Sequence, residues 1–381
     1  MIIRASILIG SFAGGGMERA VLSTLKGLMR YNHDIEVICF HATGVLTDAF
    51  KSLKIPITEC RLHRWNMPWV IWKVMRHIRE KRCQLIHSHG YHADVVARIA
   101  AHFTGIPCIN TIHTNSTWKR EPKGIYQHWK HFLDIYTARH FGRWFIALSD
   151  SIRQFHIGTL RYPPTTWRII PNPVDFDRLI EGRETIEETR SMMGVNPRDV
   201  LCLTVGNLLP VKGHVHLIEA AALLPKDVMS RVHIFIAGEG PERARLEEII
   251  ERHQMESRIK LIGYQENIGP FMQAADVFLM PSVSEGQSLA ILEAMICGKG
   301  IIVTSQGAHR DYLQHGVNAL IVPPSDTKAL SHELARLVLD VQLRDKLGTA
   351  AKETVAALPV TNAVPMIEEF YREVVTCETK T

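Results

Sequence analysis

No run among the 381 residues approaches the roughly 20 consecutive apolar positions that a helix needs to cross a bilayer. A soluble or peripheral protein is therefore expected. The opening MIIRASILIG carries one early charge and a short apolar run, but it lacks a small-residue cleavage site and flows into a glycine-rich loop. It reads as a first strand and not as a signal peptide. Cysteine is sparse: the seven residues (Cys39, Cys60, Cys83, Cys108, Cys202, Cys297, Cys377) are odd in number, scattered and never spaced C-x-x-C. That spacing argues against a disulfide scaffold or a zinc ribbon and favours reduced thiols in a cytoplasmic protein. Repeats and low-complexity segments are missing too.

Tryptophan is absent beyond position 167, so all seven (Trp65, Trp69, Trp72, Trp118, Trp129, Trp144, Trp167) fall in the first part of the chain. That part is also basic: residues 1–170 hold 23 Lys/Arg against 10 Asp/Glu, and the remainder 21 against 29. A basic, tryptophan-rich half suggests contact with an anionic surface, either a membrane or a charged substrate. The segments MPWVIWKVMRHIREKR and WKREPKGIYQHWKHF are its candidates.

What is present is an alternation. Strand-like runs (IIRASILIG, DIEVICF, CQLIHSHG, PCINTIHT, WFIALSD) interleave with amphipathic stretches near 17–30 and 92–104, the pattern of a parallel sheet wrapped by helices. The proline-rich RYPPTTWRIIPNPVDFDRL reads as a linker, after which the pattern restarts with VLCLTVGNLL, RVHIFIAGEG, IKLIGY, ADVFLMPS, GIIVTS and NALIVPPSD. Two doubly wound α/β domains are expected, over 1–170 and 171–360, with a last amphipathic helix near 361–376. In such sheets ligands sit beyond the carboxyl ends of strands, and between two facing domains the cleft is the natural site.

Candidate residues follow the strands. In GSFAGGGMERA, Gly14, Gly15 and Gly16 allow close backbone approach to a ligand, and the helix beyond offers free N–H groups to an anion. The same glycines partly fit a dinucleotide fingerprint with Glu36 as its acid, but Arg19 stands where the third glycine belongs. LIHSHGYHAD sets His87, His89 and His92 at a strand end, and NTIHTN adds His113. One reading is a zinc hydrolase on His87, His89 and His92, although Tyr91 replaces the aspartate that signature needs. The other is a strand-end histidine that hydrogen-bonds a sugar or phosphate, with His87 and His92 structural. TVGNLLPVKGH holds Lys212 between Gly206 and Gly213, a point charge suited to phosphate. IAGEGPE and LIGYQEN are further glycine-punctuated turns.

The densest stretch is SVSEGQSLAILEAMICGKG, residues 282–300. Glu285 falls in a loop, a helix is expected to begin near Ser288, and Glu293 sits in its second turn among Leu292, Ala294 and Met295. The N–H groups from Gly286 to Leu289 form a helix start that suits a phosphate. Two carboxylates flanking an anion site need hydroxyls to accept, so a ligand with an anionic middle and hydroxyl-bearing rings at both ends fits, and a nucleotide sugar is such a molecule.

These motifs resemble the retaining GT-B glycosyltransferases of family 4 along nearly the whole chain: GGGMERAVLSTLKGL, ALSDSIRQF, IIPNPVDFDRL, VGNLLPVKGH, IAGEGPERARLEEII and above all PSVSEGQSLAILEAMICGKG with its E-x7-E core. The resemblance implies two Rossmann-like domains facing a cleft, with the last helix crossing back to the first. It implies transfer of a hexose or N-acetylhexosamine from a nucleotide diphosphate sugar, UDP before GDP, to an acceptor hydroxyl, with no cofactor and no obligatory metal. The basic, tryptophan-rich first part adds the expectation of a saccharide or lipid-linked acceptor, in bacterial envelope or exported polysaccharide synthesis, met in the cytoplasm or at the inner face of the membrane, and no nucleic acid is expected as a partner. By carry-over from the resemblance Glu285, His113 and Lys212 are catalytic. Glu285 meets the donor sugar, Lys212 the diphosphate and Glu293 the ribose. The backbone of Gly286, Gln287, Ser288 and Leu289 holds phosphate and sugar, and Ile262 and Tyr264 lie by the base. Gly15, Gly16 and Asn207 complete the donor side, and Gly14, Gly15 and His89 the acceptor side. Asn207 departs from the family, which often has an arginine there; Lys212, the helix start or Arg310 would then carry more of the charge. A nucleotide-sugar epimerase of the same fold and a non-catalytic binder remain as rivals.

Overall fold

The computed structural model describes residues 1–63, 66–113, 124–164, 166–175, 179 and 185–378. Trp65 and Trp118 of the tryptophan-rich half lie outside them, as does the first part of WKREPKGIYQHWKHF. The chain divides into two compact units, Met1–Pro173 joined by the segment from Pro359 onward, and Val174–Leu358.

The first unit is built on seven parallel strands: β1 (Arg4–Ser11), β2 (Asp34–His41), β3 (Ile57–Glu59), β4 (Leu85–His89), β5 (Cys108–Ile112), β6 (Trp144–Ala147) and β7 (Trp167–Ile169), in the order β3-β2-β1-β4-β5-β6-β7. Their near-continuous apolar runs are those of strands covered on both faces. One face packs Val21, Leu25 and Leu28 of the Gly16–Leu28 helix with Ile367, Phe370, Tyr371 and Val374 of the final helix, Ala363–Glu378. The other packs Val70, Val74 and Ile78 of the helix Met67–Glu80 with Ala93, Val96 and Ala100 of the helix Tyr91–Thr104. The last helix thus returns to the first unit. β7 corrects the linker reading: Trp167 pairs with Phe145 as an edge strand inside the proline-rich stretch. An edge position tolerates neighbouring prolines because only one side needs ladder hydrogen bonds.

The second unit has six parallel strands: β8 (Val200–Val205), β9 (Val232–Ala237), β10 (Ile259–Gly263), β11 (Val277–Met280), β12 (Gly300–Thr304) and β13 (Leu320–Val322), ordered β10-β9-β8-β11-β12-β13. A buried cluster joins Ile234, Ile236 and Leu279 of the sheet to Leu217, Leu246 and Leu334 of its helices. In both units the strand order reverses beside the first strand, between β1 and β4 and between β8 and β11. Parallel sheets leave an open crevice for ligands at such a reversal.

Candidate active site

At the β8/β11 reversal four loops are tied together by backbone hydrogen bonds. Val283 N–H donates to Val211 O (2.8 Å), Leu208 N–H to Glu239 O (2.8 Å) and Gly238 N–H to Gly263 O (2.8 Å). The glycines here are structural requirements. Gly213 has φ +68°, and a Cβ on it would lie 2.1 Å from Pro281 O; Gly238 has φ +152°, and a Cβ there would lie 2.0 Å from Gly206 O. Side chains at these points would force the loops apart.

Lys212 and Glu285, read separately from the sequence, are one ion pair. Lys212 Nζ donates to Glu285 Oε2 at 2.6 Å, with both side chains largely buried. Ser282 Oγ donates to the same oxygen at 3.1 Å, and Gly286 N–H reaches Oε1 at 3.3 Å. Burial alone would raise the Glu285 pKa, but the lysine's charge and hydrogen bond, with help from Ser282, outweigh it and hold the carboxyl below its ordinary value. The acid is therefore ionised at neutral pH.

The helix beyond it starts where expected: Leu289–Ile296, capped by Ser288, whose Oγ accepts from Ile291 N–H. Gly286 N–H, assigned above to phosphate, is turned onto the Glu285 carboxylate, while the helix's first N–H groups, at Leu289 and Ala290, precede any intrahelical acceptor. Glu293 is buried, as its apolar neighbours require. Asn207 and Tyr264 are half-buried in the tied loops, Ile262 is half-buried near the end of β10, and Gln265 Nε2 donates to Ile262 O at 2.6 Å. Arg310 is exposed on a short turn, Ala308–Asp311.

The sequence reading passed over three residues around Glu285. Ser282 binds it directly. His309 is buried with Nε2 2.7 Å from Thr304 O, and Tyr312 has a buried hydroxyl without a partner among the described residues. Burial and the neighbouring Glu285 and Asp311 charges push the Tyr312 phenol upward, so it stays protonated. Ser282 stands in the quoted PSVSEG; nothing local marked Tyr312.

In the first unit Gly14 (φ +89°) lies in the loop after β1, and Gly15 caps the next helix, accepting from Arg19 N–H at 3.1 Å. The loop after β4 abuts it, since a Cβ on Gly90 would lie 3.1 Å from Met17 Sδ. His87 corrects the zinc reading. Its Nδ1 is 2.7 Å from Tyr371 Oη and its Nε2 2.7 Å from Thr111 Oγ1, which leaves no nitrogen for a metal. His92 sits apart on the helix Tyr91–Thr104, and among the described residues no three His, Cys, Asp or Glu side chains gather as metal ligands would. Glu36, the acid of the partial dinucleotide fingerprint, is likewise spent inside the fold, bonded to Ser6 Oγ (2.6 Å) and His77 Nε2 (2.9 Å).

His89 Nδ1 and His113 Nε2 are 3.0 Å apart. Burial lowers both imidazoles, His113 to about 4, so both are neutral at pH 7 and one must donate to the other. His89 Nε2 is buried and has no partner among the described residues. An orphaned N–H is worse tolerated than an unprotonated nitrogen. Among the described residues that preference favours the proton between the rings on His89 Nδ1, an arrangement in which His113 carries its own on Nδ1.

Two family models match in succession: Glycosyltransferase Family 4 over residues 14–178 and Glycosyl transferases group 1 over residues 185–354. The chain belongs to the family 4 glycosyltransferases of GT-B fold. It is 24% identical over 374 residues, covering 94% of each chain, to the UDP-Gal:alpha-D-GlcNAc-diphosphoundecaprenol alpha-1,3-galactosyltransferase of Escherichia coli. It is 28% identical over 174 residues, 46% of each chain, to the lipopolysaccharide core biosynthesis glycosyltransferase LpsE of Rhizobium meliloti. Its fold is that of Anabaena HepE, crystallised with UDP and glucose, with a TM-score of 0.85 at 22% identity over 97% of this chain and 99% of that one.

Proposed function

We propose that the protein transfers a hexose or N-acetylhexosamine from a UDP-sugar, with retention at the anomeric carbon, to a hydroxyl of a lipid-linked saccharide in bacterial envelope or exported polysaccharide synthesis. The observation that carries this reading is the loop cluster at the β8/β11 reversal, where an ionised Glu285 and the Lys212 ammonium stand before the Ser288-capped helix. A diphosphate is drawn to Lys212 and the helix start, and its arrival frees Glu285 to accept from sugar hydroxyls. Glu293 takes the ribose, and Ile262 and Tyr264 the base. The E. coli relative's substrates, a UDP-sugar and a diphosphoundecaprenol-linked one, support the donor base and the acceptor class.

In the step itself the bond from anomeric carbon to phosphate oxygen breaks, and the acceptor oxygen bonds to that carbon on the same face. The departing diphosphate takes the acceptor proton. Positioning and stabilisation of charge on the leaving group then supply the catalysis. Lys212 and the helix start take on that charge without a metal. His113 offers a neutral Nδ1–H to the transferred sugar, and Gly14, Gly15 and His89 border the acceptor. Among the described residues no helix is long and apolar enough to cross a membrane, so a lipid-linked acceptor is met from the bilayer face.

A thermal-shift panel of nucleotide sugars tests the donor assignment. UDP-sugars are expected to raise the Tm, by mass action, above GDP- and ADP-sugars. A panel in which no nucleotide diphosphate sugar moves the Tm would overturn the reading.

A further inference from the structure

The first unit contains a pocket of about 740 Å³ that the donor site does not use. It lies at the carboxyl end of the sheet, bounded by Gly10 and Ser11 at the end of β1, the first turn of the Tyr91–Thr104 helix, and one face of the Gly124–Phe141 helix. Its volume is that of a small-ligand cavity. One part of the lining is apolar: Phe40, Leu62, Met67, Phe132 and Leu133. The other carries His41, His63, His92 and Lys130, and no acid is among the described residues that line it. Lys130 Nζ sits 4.6 Å from the Tyr91 ring centre and 5.7 Å from that of Tyr126, so its charge is held between two aromatic faces. His92 is pushed down to about 4 by burial, Lys130 and His41, which makes it a neutral hydrogen-bonding group at pH 7.

The apolar surface does not end at the pocket. Trp129 and Phe132 also line a more open recess of about 510 Å³ with Gly124, Ile125 and His128. Trp129 is 65% exposed and Ile125 80%, on a helix whose outward face would otherwise be expected to be polar. A cationic end beside Gly10 and Ser11, with no acid among the described lining residues, followed by an apolar recess that opens to solvent, matches one kind of molecule: a single-chain amphiphile with an anionic head. β1 leads from Gly10 and Ser11 directly into the Gly14–Gly16 loop.

We infer that this pocket binds the isoprenoid diphosphate part of the acceptor, with the diphosphate at Lys130 and the histidines and the first isoprene units against Trp129, Phe132 and Leu133. The inference rests on the lipid-linked acceptor proposed above and adds that the protein itself reads the lipid, instead of leaving it in the bilayer.

Titration with farnesyl diphosphate tests it, with inorganic pyrophosphate, phosphatidylglycerol vesicles and UDP as parallel arms. Farnesyl diphosphate is expected to bind saturably at one site, at least 10-fold more tightly than pyrophosphate. That binding should weaken 10-fold or more in both Trp129→Glu and Lys130→Glu. Because Trp129 is exposed, its variant is expected to fold, and an unchanged circular dichroism melt checks this. Equal binding of pyrophosphate, or farnesyl diphosphate affinity untouched by both folded variants, overturns the inference, as does adsorption to vesicles alone. UDP affinity in the same samples reports the donor site. Its retention alongside failed farnesyl diphosphate binding would sink the lipid pocket only, and its absence would sink the glycosyltransfer reading itself.

Discussion

At the scale of single residues, the most informative pair is Lys212 and Glu285. Spacing alone gave each a separate ligand; in the fold they are 2.6 Å apart and each is the other's counter-ion. The pairing makes a pH prediction with a definite sign. The Glu285 pKa is depressed in the native state, so the unfolded chain binds the extra proton first. Its contribution to stability is then fully present above the unfolded value of about 4.3 and lost as pH falls through the lower native value. In Lys212→Met the burial stays and the partner goes, which raises the native pKa above the unfolded one. The Glu285 contribution then falls as pH rises from 4 to 7. Urea unfolding of both proteins across that range should show the variant losing stability relative to wild type toward pH 7. The loss approaches the roughly 3–5 kcal/mol known for broken buried pairs but stays below it, because Lys212 keeps 22% exposure. Parallel pH curves for the two proteins would mean that the pair does not perturb Glu285.

At the scale of elements, the turns hold the site together. Gly213 combines φ +68° with a blocked Cβ direction, whereas nothing lies within 4 Å of a Cβ on Gly16. Gly213→Ala is therefore expected to destabilise the second unit by at least the roughly 1–3 kcal/mol of a strained backbone position and to weaken nucleotide binding by moving the 281–288 loop. Gly16→Ala should leave unfolding within about 0.5 kcal/mol of wild type. Equal melts for the two variants would contradict this account of the loop cluster. The elements also show what was legible. Each strand read from an apolar run is present, because an unbroken apolar run leaves a strong signal even in the three-residue edge Leu320–Val322. The strands missed, Ile57–Glu59 and Trp167–Ile169, are three-residue edges that mix apolar with polar residues and are too short to show a period. The Ser288 start of the 289–296 helix was legible because a serine cap precedes an apolar run.

At the scale of the whole molecule, the legible part ends where distant segments meet. The final helix brings Tyr371 to His87 across 284 residues, and that contact, invisible to any local pattern, occupies Nδ1 while Thr111 of the neighbouring strand occupies Nε2, the two nitrogens a zinc reading would need. Tyr312 and His309 come to Glu285 in the same way. The motif residues Glu285, Lys212 and Glu293 could be picked out because backbone geometry demands particular residue types around them. The tryptophans of the first unit divide in the fold: Trp69, Trp72 and Trp129 are exposed, while Trp144 and Trp167 fill its core. The central claim is that the loop cluster holding Glu285 performs glycosyl transfer, and the initial rate of Glu285→Ala with a UDP-sugar and a lipid-linked acceptor tests it most directly. The account predicts a fall in kcat of about 100-fold or more, the scale of losing one group that holds charge or substrate at the reacting centre. A folded Glu285→Ala enzyme that turns over at the wild-type rate would contradict it.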